Sequence, residues 1–263
     1  MQALLNCCCG VDVHRDMIEV CILKGKGKKP NTIREQFKTT QSGLIDFVNW
    51  LYGNGCSNIA MESTGVYWIP VYEAIEEHLK DYEQLLVVNA HHMRNLPGRK
   101  KDVKDAEWIA TLLRHGLLTA SFIPDREIRN LREYSRLHKS FVQERSRDLN
   151  RLEKFLQTHG FKLSSVLSNI MGLSGRNLLN TLVEKGCITS SDVLSAVGRR
   201  IKRPLDEIES AVCGKLTRSE CRLLELLLKK LDDCQKDIDT ILADMEKLSL
   251  PYQKESAQSQ LSR

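Results

Sequence analysis

Apolar positions in the first third of the chain fall into short runs broken by polar steps. Cys7–Val13, Met17–Leu23 and Ile33–Lys38 each read as a strand. The polar step His14-Arg15-Asp16 separates the first two runs, and Gly25-Lys26-Gly27-Lys28-Lys29-Pro30-Asn31 reads as a plain loop before the third. The spacing of Leu44, Phe47, Val48 and Leu51 then predicts a helix, capped at Thr40 or Ser42 and ended by Gly53-Asn54-Gly55. A strand at Ile59–Glu62, a helix from about Val66 to Lys80 and a strand at Gln84–Val88 follow. Past Pro124 the strand pattern stops. Ile128, Leu131, Leu137, Phe141, Leu149, Leu152 and Leu156 repeat at helical spacing in one long segment that ends at His159-Gly160. Residues 161–216 read as short helices and turns. Leu224, Leu227, Leu231, Cys234, Ile238, Ile241, Met245 and Leu248 then step by threes and fours, the spacing of a coiled-coil seam. Such a seam pairs either with the first long helix or with another subunit, and its regularity favours a partner interface. The chain divides accordingly into an α/β domain at 1–123, a helical region at 124–250 and a polar tail at 251–263.

Four acids change the picture. Asp12 lies inside the first apolar run and Glu62 ends the fourth. A carboxylate at the apolar end of a strand is costly unless metal or hydrogen bonds compensate it. Asp102 and Asp105 stand three apart at the start of a helical stretch, a spacing that puts both side chains on one face. One acid at a strand end is commonly a surface group, and an acidic pair at a helix start commonly complements the helix dipole. Two strand ends and a helix start together suggest a magnesium site for phosphodiester chemistry. Three antiparallel strands followed by alternating helix and strand is also the ribonuclease-H order, so the expected fold class is α/β plus α: a mixed-sheet RNase H-like domain, then long coiled-coil helices.

Gly10-Val11-Asp12-Val13-His14, Met61-Glu62-Ser63-Thr64-Gly65-Val66-Tyr67-Trp68 and Asp102-Val103-Lys104-Asp105-Ala106-Glu107-Trp108 closely resemble motifs of the DEDD transposases. These are insertion-sequence recombinases related to Piv-type DNA invertases. The resemblance implies a RuvC-like catalytic domain whose four acids fall on Asp12, Glu62, Asp102 and Asp105, with Mg²⁺ or Mn²⁺ as cofactor. In a two-metal arrangement Asp12 is the expected bridging ligand. The resemblance also implies DNA as substrate, a structured guide RNA as partner, and a homo-oligomer, dimer or tetramer. The chain departs from the family pattern at Lys101, where a threonine is usual before the third acid. Family members also continue into a second domain with a serine nucleophile. No such motif precedes Arg263, so the expectation is an N-terminal portion of a transposase.

Composition adds less. The net charge of +5 matters only where it clusters. His91 and His92 open a basic stretch, Arg94, Arg99, Lys100, Lys101 and Lys104, which reads either as a set of contacts for backbone phosphates or as a solvated loop. The first long helix carries nine basic against five acidic side chains, with Arg129, Arg132 and Arg136 on one stripe suited to duplex phosphates or structured RNA. Interleaved acids also fit an ordinary salt-bridged helix. His14 shares the strand face of Asp12. Ser63-Thr64-Gly65 reads either as a phosphate cradle or as a helix cap at Ser63 or Thr64, and Tyr67 and Trp68 either stack on bases or pack in the core. The nine cysteines include no Cys-x-x-Cys pair and read as reduced core hydrophobes. No apolar run approaches the ~20 residues of a membrane helix, and no signal peptide is evident at Met1. A bacterial, cytoplasmic, nucleoid-associated protein is expected, with no membrane partner. A stand-alone RuvC-like nuclease acting on branched DNA, and a truncated nucleic-acid-binding repressor of the full-length enzyme, are the competing readings.

Overall fold

The computed structural model describes residues 2–63, 65–79, 81–89, 104–196 and 203–261, with side chains described as far as Tyr252. The chain forms two compact units, Met1–Ile123 and Pro124–Arg263.

The first unit is built on a five-stranded sheet in the order β3-β2-β1-β4-β5. Its strands are β1 (Cys7–Val13), β2 (Met17–Lys24), β3 (Asn31–Lys38), β4 (Asn58–Glu62) and β5 (Gln84–Val88). β1, β2 and β3 run antiparallel, whereas β4 and β5 run parallel to β1. This mixed sheet, three antiparallel strands and then two added by crossovers, is the ribonuclease-H-like arrangement. Side chains alternate across it. Cys9, Val11 and Val13 meet Ile59, Met61 and Val87 under helices α1 (Gln41–Gly53) and α2 (Trp68–His78), which contribute Phe47, Leu51, Val71 and Ile75. On the opposite face Cys8, Cys21, Ala60 and Val88 lie under α3 (Asp105–Arg114), through Ala106, Ile109 and Ala110. With both faces covered, the central strands β1 and β4 are almost continuously apolar. Thr40 caps α1, its side-chain oxygen accepting from Gly43 N–H at 3.3 Å.

The second unit is a pair of long helices, α4 (Arg126–Thr158) and α9 (Arg218–Leu261), with a small helical cluster between them. That cluster holds α5 (Leu163–Val166), α6 (Leu173–Lys185), α7 (Ser190–Ala196) and α8 (Leu205–Val212), and a short ladder of β6 (Cys187–Ile188) with β7 (Gly214–Lys215). Its core joins Leu152, Leu156, Phe161, Leu178, Leu182, Ile208, Leu224 and Leu231.

The seam on α9 is used inside the chain. Cys234 Sγ lies 3.5 Å from the Phe141 carbonyl, Lys230 Nζ lies 3.5 Å from Glu144, and Tyr252 donates to Glu127 at 2.8 Å. Residue numbers fall along α4 as they rise along α9, so the two form an antiparallel hairpin. The expectation of a partner interface along this seam is corrected: Leu224, Leu231, Cys234, Ile238 and Ile241 are buried within one copy. Heptad spacing fixes the packing period but not the partner, and two helices of one chain meet at high effective concentration. Leu137, expected on the apolar face of α4, is 46% exposed. Asp148 is buried in the hairpin and paired with Arg151 and, at 3.2 Å, with Lys230 of α9. That paired charge favours one helix register, since a slip would strand a buried carboxylate.

The segment expected as a polar tail from residue 251 continues the α9 backbone, which stays helical through Pro251 to Leu261. Proline removes one ladder bond there, while the following Glu, Ala and Gln residues are good helix formers. No helix among the described residues is long and apolar enough to cross a membrane.

Candidate active site

The sheet register brings two of the four predicted acids together. Val11 pairs with Met61 between the parallel strands β1 and β4, and Asp12 and Glu62 come one residue later on each. Both therefore stand at adjacent strand ends, on the face covered by α3. Glu19 of β2 is registered opposite Asp12 on the same face. The Asp12 side chain is only 15% exposed, and His14 Nε2 lies 3.2 Å from its Oδ2. Burial raises the Asp12 carboxyl above its ordinary range; His14 opposes that shift, and the negative charges of Glu62 and Glu19 add to it.

Asp105 heads α3, whose position is set by Gly10. A Cβ on Gly10 would lie 2.1 Å from the Ala106 carbonyl oxygen and 2.3 Å from the Ala110 nitrogen. Only glycine lets the first turns of α3 lie this close to β1. Two side-chain pairs fix the same end of the helix: Arg34 of β3 with Glu107 at 2.6 Å, and Lys104 with Glu19 at 3.9 Å. Gln36 also donates to Glu19 at 3.0 Å. Glu19, Arg34, Gln36, Lys104 and Glu107 line a cleft of about 240 Å³ beside Asp12. Arg34, Glu19 and Glu107 are not among the site residues expected from the sequence. The signal was weak: Arg34 and Gln36 alternate with Ile33 and Phe37 on β3, which puts the polar pair on the α3 face.

The shared helix face expected of Asp102 and Asp105 falls partly outside the described residues. α3 begins at Asp105, and Lys104 before it is extended, with φ −61° and ψ 148°. Asp102 itself lies outside the described residues, as do Arg94, Arg99, Lys100 and Lys101. Of that basic stretch Lys104 is described, with a side chain 60% exposed. The two readings of Ser63-Thr64-Gly65 are both corrected at Ser63. Its N–H is already bonded to the Val88 carbonyl at 2.9 Å, and the N-cap of α2 is Tyr67. Trp68 packs in the core, edge-on to Tyr72 at 5.8 Å, while Tyr67 is 40% exposed. In the second unit Arg132 and Arg136 are exposed on α4. Arg129 donates to the Pro124 carbonyl at 3.0 Å.

Among the described residues no three His, Cys, Asp or Glu side chains gather closely enough to hold a metal ion. The acids at this end of the sheet still offer the oxygen donors that a divalent cation prefers. Asp12, Glu62 and Glu19 are hard oxygen donors, and mutual repulsion plus burial hold Asp12 in a state that a divalent cation would relieve.

The family model of the DEDD transposases of the IS110 type, described as transposase, matches residues 9–161. The chain belongs to this transposase family. Among solved structures, RuvC of Thermus thermophilus is similar at 14% identity, over 44% of this chain and 99% of that one, with a TM-score of 0.32. Comparison with curated proteins gives no match. A DEDD transposase on a ribonuclease-H-like sheet is an enzyme of DNA recombination, and the acidic chemistry of this family implies dependence on a divalent metal.

Proposed function

We propose that Asp12, Glu62, Asp102 and Asp105 form the metal-holding catalytic set of a DNA recombinase, with Mg²⁺ as the working ion and Mn²⁺ able to replace it. The observation that carries this reading is the meeting of Asp12 and Glu62 at adjacent parallel strand ends, under a helix headed by Asp105 and seated on Gly10. A divalent ion held there supplies charge stabilisation at the scissile phosphodiester. The protein's own part is to orient: Asp12 and Glu62 are fixed by the sheet, and Asp105 by the docking of α3.

In this reading residues 1–123 are the catalytic domain, and 124–250 serve nucleic-acid contact and association into a dimer or tetramer. Exposed Leu223, Leu226 and Leu242 on α9 support a role in association, since the seam itself is consumed within the chain. Arg132 and Arg136, with Lys104 and the stretch Arg94, Arg99, Lys100 and Lys101, hold phosphates of DNA and of a structured guide RNA. The family resemblance assigns the serine nucleophile to a second domain with which these carboxylates act. The work is done on DNA in the bacterial cytoplasm, at the nucleoid.

The test is strand exchange between element ends by the complete recombinase. Asp12→Ala, Glu62→Ala, Asp102→Ala and Asp105→Ala should each reduce product by more than the roughly 10–100-fold typical of an outer-shell partner. Parental exchange by Asp12→Ala would end this reading.

A further inference from the structure

The loop between β2 and β3 is not a plain connection. Lys24, Lys26, Lys28 and Lys29 crowd one hairpin tip, and the last three are exposed. Beneath it lies Arg114, at the far end of α3 and only 5% exposed. Its Nη2 donates to the Gly25 and Gly27 carbonyls, each at 2.6 Å. Gly25 takes φ +98°, a conformation suited to glycine, and its N–H is bonded to the Asn6 carbonyl at 2.7 Å. The tip is thus pinned from below at Gly25 and Gly27.

The electrostatics are one-sided. Among the described residues no carboxylate forms an ion pair with Arg114, Lys26, Lys28 or Lys29. Burying a guanidinium without a counter-charge is costly, and here its donors serve to hold a loop that carries further positive charge. Lysines on a pinned backbone lose less freedom on meeting an anion than lysines on a loose one.

We infer that this lysine hairpin is a second contact for the phosphate backbone of a nucleic-acid duplex, separate from the carboxylate site. It rests on nucleic acid being the substrate class, as proposed above, and not on the identity of the metal ligands. Glu19 faces Asp12 at one end of β2, and Lys24 faces Cys7 at the other. Five strand residues at ~3.4 Å each separate the two ends by roughly 17 Å. At 3.4 Å per base step that is about five base pairs. A duplex engaged at the carboxylates therefore reaches the hairpin within one helical turn. Such contacts position without reading sequence. The duplex is either substrate DNA or a stem of structured RNA, which share this backbone chemistry.

The experiment compares the parent chain with the triple variant Lys26→Ala, Lys28→Ala, Lys29→Ala by fluorescence anisotropy over a salt series. The probes are a DNA duplex of arbitrary sequence and an RNA hairpin. With three phosphate contacts removed, the slope of log affinity against log salt should become shallower by about 2.7 on the probe that the hairpin holds. Loss on the DNA probe alone assigns the contact to substrate, and loss on the RNA probe alone assigns it to an RNA stem. The melting temperature and its rise with Mg²⁺ should stay parental, which separates this contact from the carboxylate site. Parental slopes on both probes, or a parent chain that binds neither, would overturn the inference.

Discussion

Gly10→Ala should cost the first unit about 3 kcal/mol, the upper part of the range for overpacking a tight contact. The new methyl group would meet two backbone atoms of α3, the Ala106 oxygen at 2.1 Å and the Ala110 nitrogen at 2.3 Å. Backbone in the middle of a helix cannot turn aside as a side-chain tip can, so α3 as a whole must lift from β1. Its first turn carries Asp105, and Lys104 and Glu107 beside it are tied to Glu19 and Arg34. The variant should therefore lose metal response as well as stability. Gly53→Ala is the control, because a Cβ there meets nothing within 4 Å. Chemical denaturation of the two variants beside the parent reads the difference. Equal stability of all three would show that α3 does not rest on Gly10.

Leu231→Asp should unfold the second unit rather than merely separate subunits. Leu231 is 1% exposed and belongs to the core shared by α4, α9 and the helices between them. The change removes a buried leucine, worth about 2–5 kcal/mol, and leaves an unpaired carboxylate in its place. Together these consume most of the ~5–15 kcal/mol that holds a typical domain folded. Leu137→Asp, at a position 46% exposed, should leave thermal unfolding within about 0.5 kcal/mol of the parent. Helical circular dichroism on heating distinguishes the pair. A Leu231→Asp protein with parental melting and a smaller mass would return the seam to a subunit interface.

The sheet was legible because its order is written locally. Alternation and apolar runs marked β1 to β5, and Gly53-Asn54-Gly55 marked the end of α1. The placing of Asp12 beside Glu62 could be anticipated from their strand-end positions, although the register that joins them is a long-range property. The start of α3 was not legible. Val103-Lys104-Asp105 continues a helix-like pattern, and no Ser, Thr, Asp or Asn at 104 marks the true boundary. Docking onto Gly10 accompanies that start, across nearly a hundred residues of sequence. Arg114 escaped notice for the same reason: its bonds to Gly25 and Gly27 span 89 and 87 residues. The seam on α9 was legible as a seam, but its partner was not, since α4 offers the same period as a second subunit would.

The most direct test of the metal site is the melting temperature of the first unit's transition during Mg²⁺ titration of the whole chain. Binding that favours the folded state stabilises it by about 2.7 kcal/mol at a hundred times the dissociation constant. Asp12→Ala, Asp102→Ala and Asp105→Ala should each flatten this rise. They should cost little without metal, because removing one carboxylate also relieves repulsion among those that remain. A parental rise in all three variants, or a constant loss of about 0.3–1 kcal/mol for Asp105→Ala at every Mg²⁺ concentration, as expected of a residue that only complements a helix end, would contradict the site.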